Sequence, residues 1–183
     1  MSINGYGLLA LAAFAAIYVI TVYNSLVQLR TGVSKAWANI DVLILQRHDE
    51  LPNLVEVCKG YMAYERETIT NVVTARAAVS SARETANLSG FGPAEEQLRL
   101  GLDHLFAVAE NYPGLKANDM FRNLQARITG LENAIADRRE FYNDAVTRLN
   151  TRMEQFPDRI IASLCAVKPG QWLGKTGVRV IFR

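Results

Sequence analysis

The sequence predicts an all-α protein: a single N-terminal transmembrane helix that continues into an antiparallel, up-and-down four-helix bundle, followed by a short non-helical basic tail. Three observations carry this. The first charged side chain among the 183 residues is Arg30, so an uncharged apolar segment precedes a charge-rich one. Downstream, apolar residues recur at the spacing of one helix face, and residues 24–157 show no sustained period-two alternation. Short connections rich in Pro and Gly separate the long periodic segments, which makes neighbouring helices antiparallel. The expected organisation is an extracytoplasmic N-terminus at residues 1–5, a membrane span at 6–23, a helical bundle at 24–157 and a basic tail at 158–183 that can form a strand.

Residues 6–23 read YGLLALAAFAAIYVITVY and carry no charge. As a helix at 1.5 Å per residue they cover about 27 Å, close to the thickness of a bilayer core. Tyr6, Tyr18 and Tyr23 lie at or near the ends, where amphipathic rings favour the headgroup level. The alternative is a cleavable signal peptide, for which Ala10 and Ala12 supply small residues. The leading MSING has no Lys or Arg, and the apolar run is long for a signal sequence, so a retained anchor is expected. Arg30, Lys35 and Arg47 follow the span while no cation precedes it, which places the N-terminus outside and the bulk of the chain in the cytoplasm.

Four helices are expected, at about 6–50, 52–87, 94–111 and 116–156. Val33, Trp37, Ile40 and Ile44 form the first stripe beyond the span, and Val55, Cys58, Met62, Ile69 and Val72 the second. Leu98, Leu102, Leu105 and Val108 form the third. The fourth runs through Phe121, Leu124, Ile128, Leu131 and Ile135, slips in register near Arg138 and Arg139, and resumes at Tyr142, Val146, Leu149, Met153 and Phe156. Asp49 can cap a helix whose first turn holds Pro52. Pro52 leaves a second reading open, a kink within one continuous helix, which reduces the count to three. Residues 89–93, SGFGP, read as a loop before a helix start. Tyr112-Pro113-Gly114 is a tight connection, and Phe156-Pro157 ends the last helix.

The charge balance changes at the end. Residues 1–157 hold 15 basic and 17 acidic side chains; residues 158–183 hold five basic and one acidic. Lys168, Trp172, Lys175, Arg179 and Arg183 suit a membrane surface near anionic lipid. Val178, Val180 and Ile181 are strand-like and suit pairing with a second copy; a solvated terminus is the plainer reading.

Runs of residues along the chain resemble the LemA family of membrane-anchored bacterial proteins. They are Tyr23-Asn24-x-Leu26-Val27, Ala36-Trp37-x-x-Ile40-Asp41-Val42, Leu51-Pro52-Asn53-Leu54-Val55-Glu56, Tyr61 with Glu65, and Ala75-Arg76. Further on come Tyr112-Pro113-x-Leu115-Lys116-Ala117, Phe121-x-x-Leu124, Glu132-Asn133-x-Ile135-Ala136-x-x-Arg139, Tyr142-Asn143-x-x-Val146, Asn150 and Phe156-Pro157. Each run alone is unspecific; their order is specific. The resemblance implies a four-helix bundle behind one transmembrane helix in the bacterial inner membrane, usually with the N-terminus outside, and no established enzymatic activity. Members of the family have been linked to membrane-protease partners, antigen presentation and magnetosome formation. Gln46-Arg47-His48 stands where the family has a more basic run, and the segment after Leu164 matches no family pattern.

The residues themselves suggest little chemistry. A di-iron bundle needs Glu-x-x-His pairs, and the residues three before His48 and His104 are Leu45 and Gly101. There is no HExxH, Walker A loop or G-x-S-x-G, and Cys58 and Cys165 form no C-x-x-C pair. No catalytic residue, metal site or cofactor is predicted, and a net charge of +2 demands no nucleic-acid partner. Polar residues on or beside the apolar stripes carry more information: Asn53, Glu65, Arg76, Asn133, Arg139 and Asn143, with Asp41 and Glu132. A buried charge needs a partner, so pairs such as Glu65 with Arg139 or Glu132 with Arg76 are expected. These either fix helix register or line a polar pocket. Asn24, with Tyr23, anchors the exit from the bilayer. The expected function is a non-catalytic membrane-anchored scaffold that self-associates or recruits partners at the inner membrane surface. An adaptor or regulator of a membrane protease or other membrane protein is the alternative, and a metal-binding or enzymatic bundle the third.

Overall fold

In the computed structural model, residues 3–85 and 88–173 are described. Among them the protein is all-helical, with six helical segments and no strand. These are α1 (Ile3–Tyr61), α2 (Arg66–Glu84), α3 (Leu88–Ala109), α4 (Pro113–Lys116), α5 (Asp119–Glu154) and α6 (Asp158–Leu164).

The elements differ from the expected four helices in three places. Pro52 does not end the first helix, which runs on to Tyr61. A proline inside a helix removes one backbone hydrogen bond. Here Leu51, Leu54 and Cys58 are wholly buried around it, and their packing carries the helix past the defect. The break comes instead at residues 62–65. There the Glu65 amide bonds the Met62 carbonyl at 3.1 Å, and wholly buried Met62 pins the turn. Residues 89–93 are not a loop either: they lie in the first turns of α3, held by Phe91, which is 1% exposed. Finally, the segment after Pro157 is not uniformly non-helical, because Asp158–Leu164 forms α6. The strand-like part of the tail, including Lys175, Val178, Arg179, Val180, Ile181 and Arg183, lies outside the described residues.

Other boundaries follow local chemistry. Pro113 opens α4 at its first position, where the missing amide costs nothing. Asn118 caps α5: its Oδ1 accepts from the Phe121 amide at 3.1 Å. Near its C-terminal end α5 presents Tyr142, Val146 and Leu149 inward.

The chain forms two compact units. One combines the chain up to Trp37 with Phe141–Gln171; the other is built on Ala38–Glu140. The division in α5 falls just after the register slip at Arg138 and Arg139. In the second unit the core combines Ile40, Ile44, Leu51 and Leu54 of α1, Val72 and Val79 of α2, Leu98, Leu102 and Leu105 of α3, and Phe121 and Ile128 of α5. Phe106 meets Phe121 edge-on there, with ring centres 6.4 Å apart. In the first unit, Val22 and Leu26 of α1 pack with Ile161 and Ala162 of α6 and with Met153 of α5.

Candidate functional site

The helical stripes place three charges where apolar residues are expected. In α1 the buried series Ile40, Ile44, Arg47, Leu51, Leu54, Cys58 keeps steps of three and four, and Arg47 is 2% exposed within it. In α3 the series Phe91, Glu95, Leu98, Leu102 does the same, with Glu95 3% exposed. Glu132 of α5 falls between the buried Ile128 and Ile135. The three meet inside one unit. Arg47 Nη2 donates to Glu95 Oε1 at 2.5 Å, and its Nη1 lies 3.8 Å from Glu132 Oε1, too far for a hydrogen bond. Arg47 Nε and Glu132 Oε1 are buried without a hydrogen-bond partner in the protein. Burial pushes the Glu132 carboxyl up to about 7; Arg47 pulls it down, while Asp103 and Glu95 add to the rise. One guanidinium therefore faces two carboxylates, and the more weakly held one keeps its proton toward neutral pH.

The expected ion pairs form with other partners. Glu65 does not pair with Arg139; its Oε1 accepts from the Tyr112 hydroxyl at 3.0 Å, tying the turn after α1 to the one before α4. This bond raises the Tyr112 phenol above its ordinary value. Arg76 does not pair with Glu132. Its Nε donates to the His48 carbonyl at 3.1 Å, and its Nη2 lies 2.7 Å from His48 Nε2. Burial, then the Arg76 charge, lowers the His48 pKa. Asp41 accepts a two-toothed bond from Arg83, at 2.5 and 3.0 Å, joining α1 to α2. Arg139 is half-buried, and Pro52, Asn53, Pro113 and Asn133 face solvent.

In the other unit the structure brings together Trp37, Tyr142 and the residues after α6. Trp37 and Tyr142 meet edge-on with ring centres 5.9 Å apart. The Tyr142 hydroxyl donates to the Gln171 carbonyl at 2.9 Å. Asn150 is 9% exposed; its Nδ2 donates to the Gly170 carbonyl at 3.0 Å and its Oδ1 accepts the Gly170 amide at 2.8 Å. A Cβ at Gly170 would lie 3.1 Å from Val146 Cγ1, so glycine lets the chain approach α5 this closely. Residues 170–171 thus form a strap on α5. Asn143 is half-buried, and its carbonyl accepts from Thr147 Oγ1. Asn24, Lys168 and Trp172 are exposed. Phe156 is 83% exposed, and Pro157 is the residue preceding α6.

Arg47, Glu95, Arg83, His48 and Gly170 escape a reading of apolar periodicity. Arg47 and Glu95 were findable as charges occupying stripe positions. Gly170 carries no such signal, because it acts through the space it leaves. Among the described residues no group of three or more His, Cys, Asp and Glu is placed to hold a metal ion. Cys58 is wholly buried, and burial pushes its thiol up to about 11, the wrong direction for a nucleophile. An open groove of about 390 Å³ lies against Lys59, Met62 and Arg66, and another of about 470 Å³ against Asp49, Glu50 and Arg127.

Residues 36–178 match the model of the LemA family. The chain belongs to the LemA family. The matched region takes in the buried charge cluster of α1, α3 and α5, the Asn150–Gly170 strap and α6, and it runs past Leu164 to residue 178, so the first part of the tail does follow the family pattern, contrary to the expectation from the quoted runs. Among curated proteins, this LemA-family chain is similar to Magnetosome protein MamQ 2 and Magnetosome protein MamQ 1 of Paramagnetospirillum magneticum (strain ATCC 700264 / AMB-1). Each is 24% identical over an alignment of 190 positions that covers 90% of this chain and 68% of the relative. Magnetosome protein MamQ of Magnetospirillum gryphiswaldense is 24% identical as well, over 87% of this chain and 67% of its own length. Family and relatives agree with a membrane-associated protein: α1 is the one helix among the described residues long and apolar enough to cross a membrane.

Proposed function

We propose that this LemA-family protein is a non-catalytic, membrane-anchored helical scaffold that self-associates at the inner face of the bacterial cell membrane. The observation that carries the reading is the outward surface of α1. Leu8, Leu9, Leu11, Phe14, Ile17 and Ile20 are each more than half exposed, on a segment without a single charge. Such a surface is stable in hydrocarbon and not in water. The cations Arg30 and Lys35 follow it, which supports a cytoplasmic location for the rest of the chain. Beyond the span, three charged groups make helix-to-helix ties: Arg47 with Glu95, Arg83 with Asp41, Arg76 with His48. A domain so organised supports a structural role, and the relatives are named for magnetosomes and not for a reaction. Confinement to a membrane raises effective concentration, so weak lateral contacts suffice for assembly.

Two steps test this. Alkaline carbonate washing of membranes should leave the protein in the pellet; release into the supernatant would remove the anchor. Gentle detergent extraction followed by affinity purification should then yield copies of this chain alone. A second protein in fixed stoichiometry would replace the scaffold reading with that of an adaptor or regulator.

A further inference from the structure

Helix α6 has two faces. Ile161 and Ala162 are buried against Val22 and Leu26 of α1, with Met153 of α5 completing the contact. The opposite side is apolar as well. Phe156, in the turn before the helix, is 83% exposed, Ile160 is 52% exposed and Leu164 is 80% exposed. Ile160 and Leu164, four residues apart, lie on one side of the helix. Single exposed apolar residues are ordinary on a protein surface; two on one side of a helix whose other face is already packed, with a third in the turn before it, are not. Their location gives them an occupant. Val22 and Leu26 bracket Tyr23, where the apolar run of α1 ends, so α6 is held against the anchor helix at the point where that helix leaves the bilayer. Arg159 and Lys168, both exposed, supply cations beside the exposed stripe.

We propose that α6 is an interfacial membrane helix: Phe156, Ile160 and Leu164 insert at the boundary between headgroups and acyl chains, while Ile161 and Ala162 hold the helix against α1. The partner is a lipid bilayer with anionic headgroups. Bound this way, α6 gives the anchor a second point of attachment and fixes how the first unit stands on the membrane. An amphipathic helix in the interface buries its apolar face there and keeps its charged groups at headgroup level. The proposal rests on the reading of residues 6–23 as a membrane span.

Site-directed fluorescence on the full chain in vesicles of equal parts phosphatidylethanolamine and phosphatidylglycerol tests it. Cys165→Ser removes the exposed thiol, and buried Cys58 does not react. A polarity-sensitive label is then attached in turn through Phe14→Cys, Ile160→Cys, Leu164→Cys and Asp144→Cys. Labels at Ile160 and Leu164 should emit to the blue and be quenched by lipids carrying doxyl groups near the headgroup. The label at Asp144, on exposed α5 surface, should be quenched by aqueous iodide. The label at Phe14 should be quenched by doxyl groups deep in the acyl chains. If Phe14 reports lipid while Ile160 and Leu164 behave like Asp144, α6 is not interfacial and the anchor stands. If Ile160 and Leu164 are shielded from lipid and iodide alike, protein covers the stripe and the proposal falls. If Phe14 itself is reached by iodide, the span and the proposal fall together. A label on native Cys165 adds a check without altering the stripe: its emission should shift to the red in Phe156→Ser/Ile160→Ser/Leu164→Ser, and an unchanged spectrum contradicts lipid contact.

Discussion

Arg47 holds two carboxylates on a stripe whose other members are apolar, and the consequences are measurable one residue at a time. Arg47→Ala leaves Glu95 and Glu132 buried without a counter-charge, and should cost roughly 3–5 kcal/mol of unfolding free energy. Arg122→Ala, whose pairing with Asp119 is exposed, should stay within about 0.5 kcal/mol. Chemical denaturation of the detergent-solubilised protein compares the two; equal small losses would show that the cluster is solvated. Glu132 adds a pH dependence. Its carboxyl titrates at about 7 in the fold against 4.5 for an ordinary glutamate, so the folded state binds the extra proton between those values. Stability from this group is therefore complete below pH 4.5 and declines as pH rises toward 7. Allowing for solvent near the site, the decline should be about 1–3 kcal/mol, and Glu132→Gln should abolish it. His48 works with the opposite sign: its lowered pKa gives stability that is present above pH 6.5 and lost as pH falls through and below that value. Comparing the Glu132→Gln profile with the parent isolates the glutamate term. Much of this site was half legible in the sequence. Glu132 stood out as a charge beside an apolar stripe. Its true partner did not, because a stripe traced through apolar residues alone steps over Arg47 and Glu95, and pairing across helices depends on relative heights that periodicity does not encode.

At the scale of elements, Pro52 is an exposed proline inside a continuous helix. Pro52→Ala restores a backbone donor and should raise stability by up to about 3 kcal/mol with unchanged helical content. A loss of stability would show that the packing around Leu51 and Leu54 requires the proline geometry. The strap makes a second case. Asn150→Ala removes both bonds to Gly170 and should cost about 1–3 kcal/mol. Hydrogen exchange should then accelerate at Gly170, whose amide loses its acceptor, while α5 stays protected; unchanged exchange there would show that the strap is held by other contacts. The helices were read correctly in kind because their apolar spacing is a local signal that survives without tertiary information. Their boundaries moved where burial outweighed a local breaker, as at Pro52 and at residues 89–93, where Phe91 is buried. The helix at Asp158–Leu164 was hidden by composition: a basic, Gly- and Pro-containing end masks a short segment that needs Val22 and Leu26 to fold against.

The whole molecule joins the charge-free first part of α1 to a helical domain in which Arg47, Arg83 and Arg76 tie helices together. The apolar run of α1 was legible at first sight, because its only requirement is length without charge. What the domain assembles with is written in surfaces instead, and exposed residues such as Tyr64, at 94%, and Met120, at 60%, give no periodic signal in the sequence. The proposed tethered scaffold meets further copies of itself. The most direct test is the mass of the full-length protein in a detergent micelle, by light scattering with the detergent contribution subtracted. The account predicts an integral multiple of the 20.3 kDa chain, greater than one, with no second protein present. A protein mass equal to a single chain at every concentration measured would contradict it.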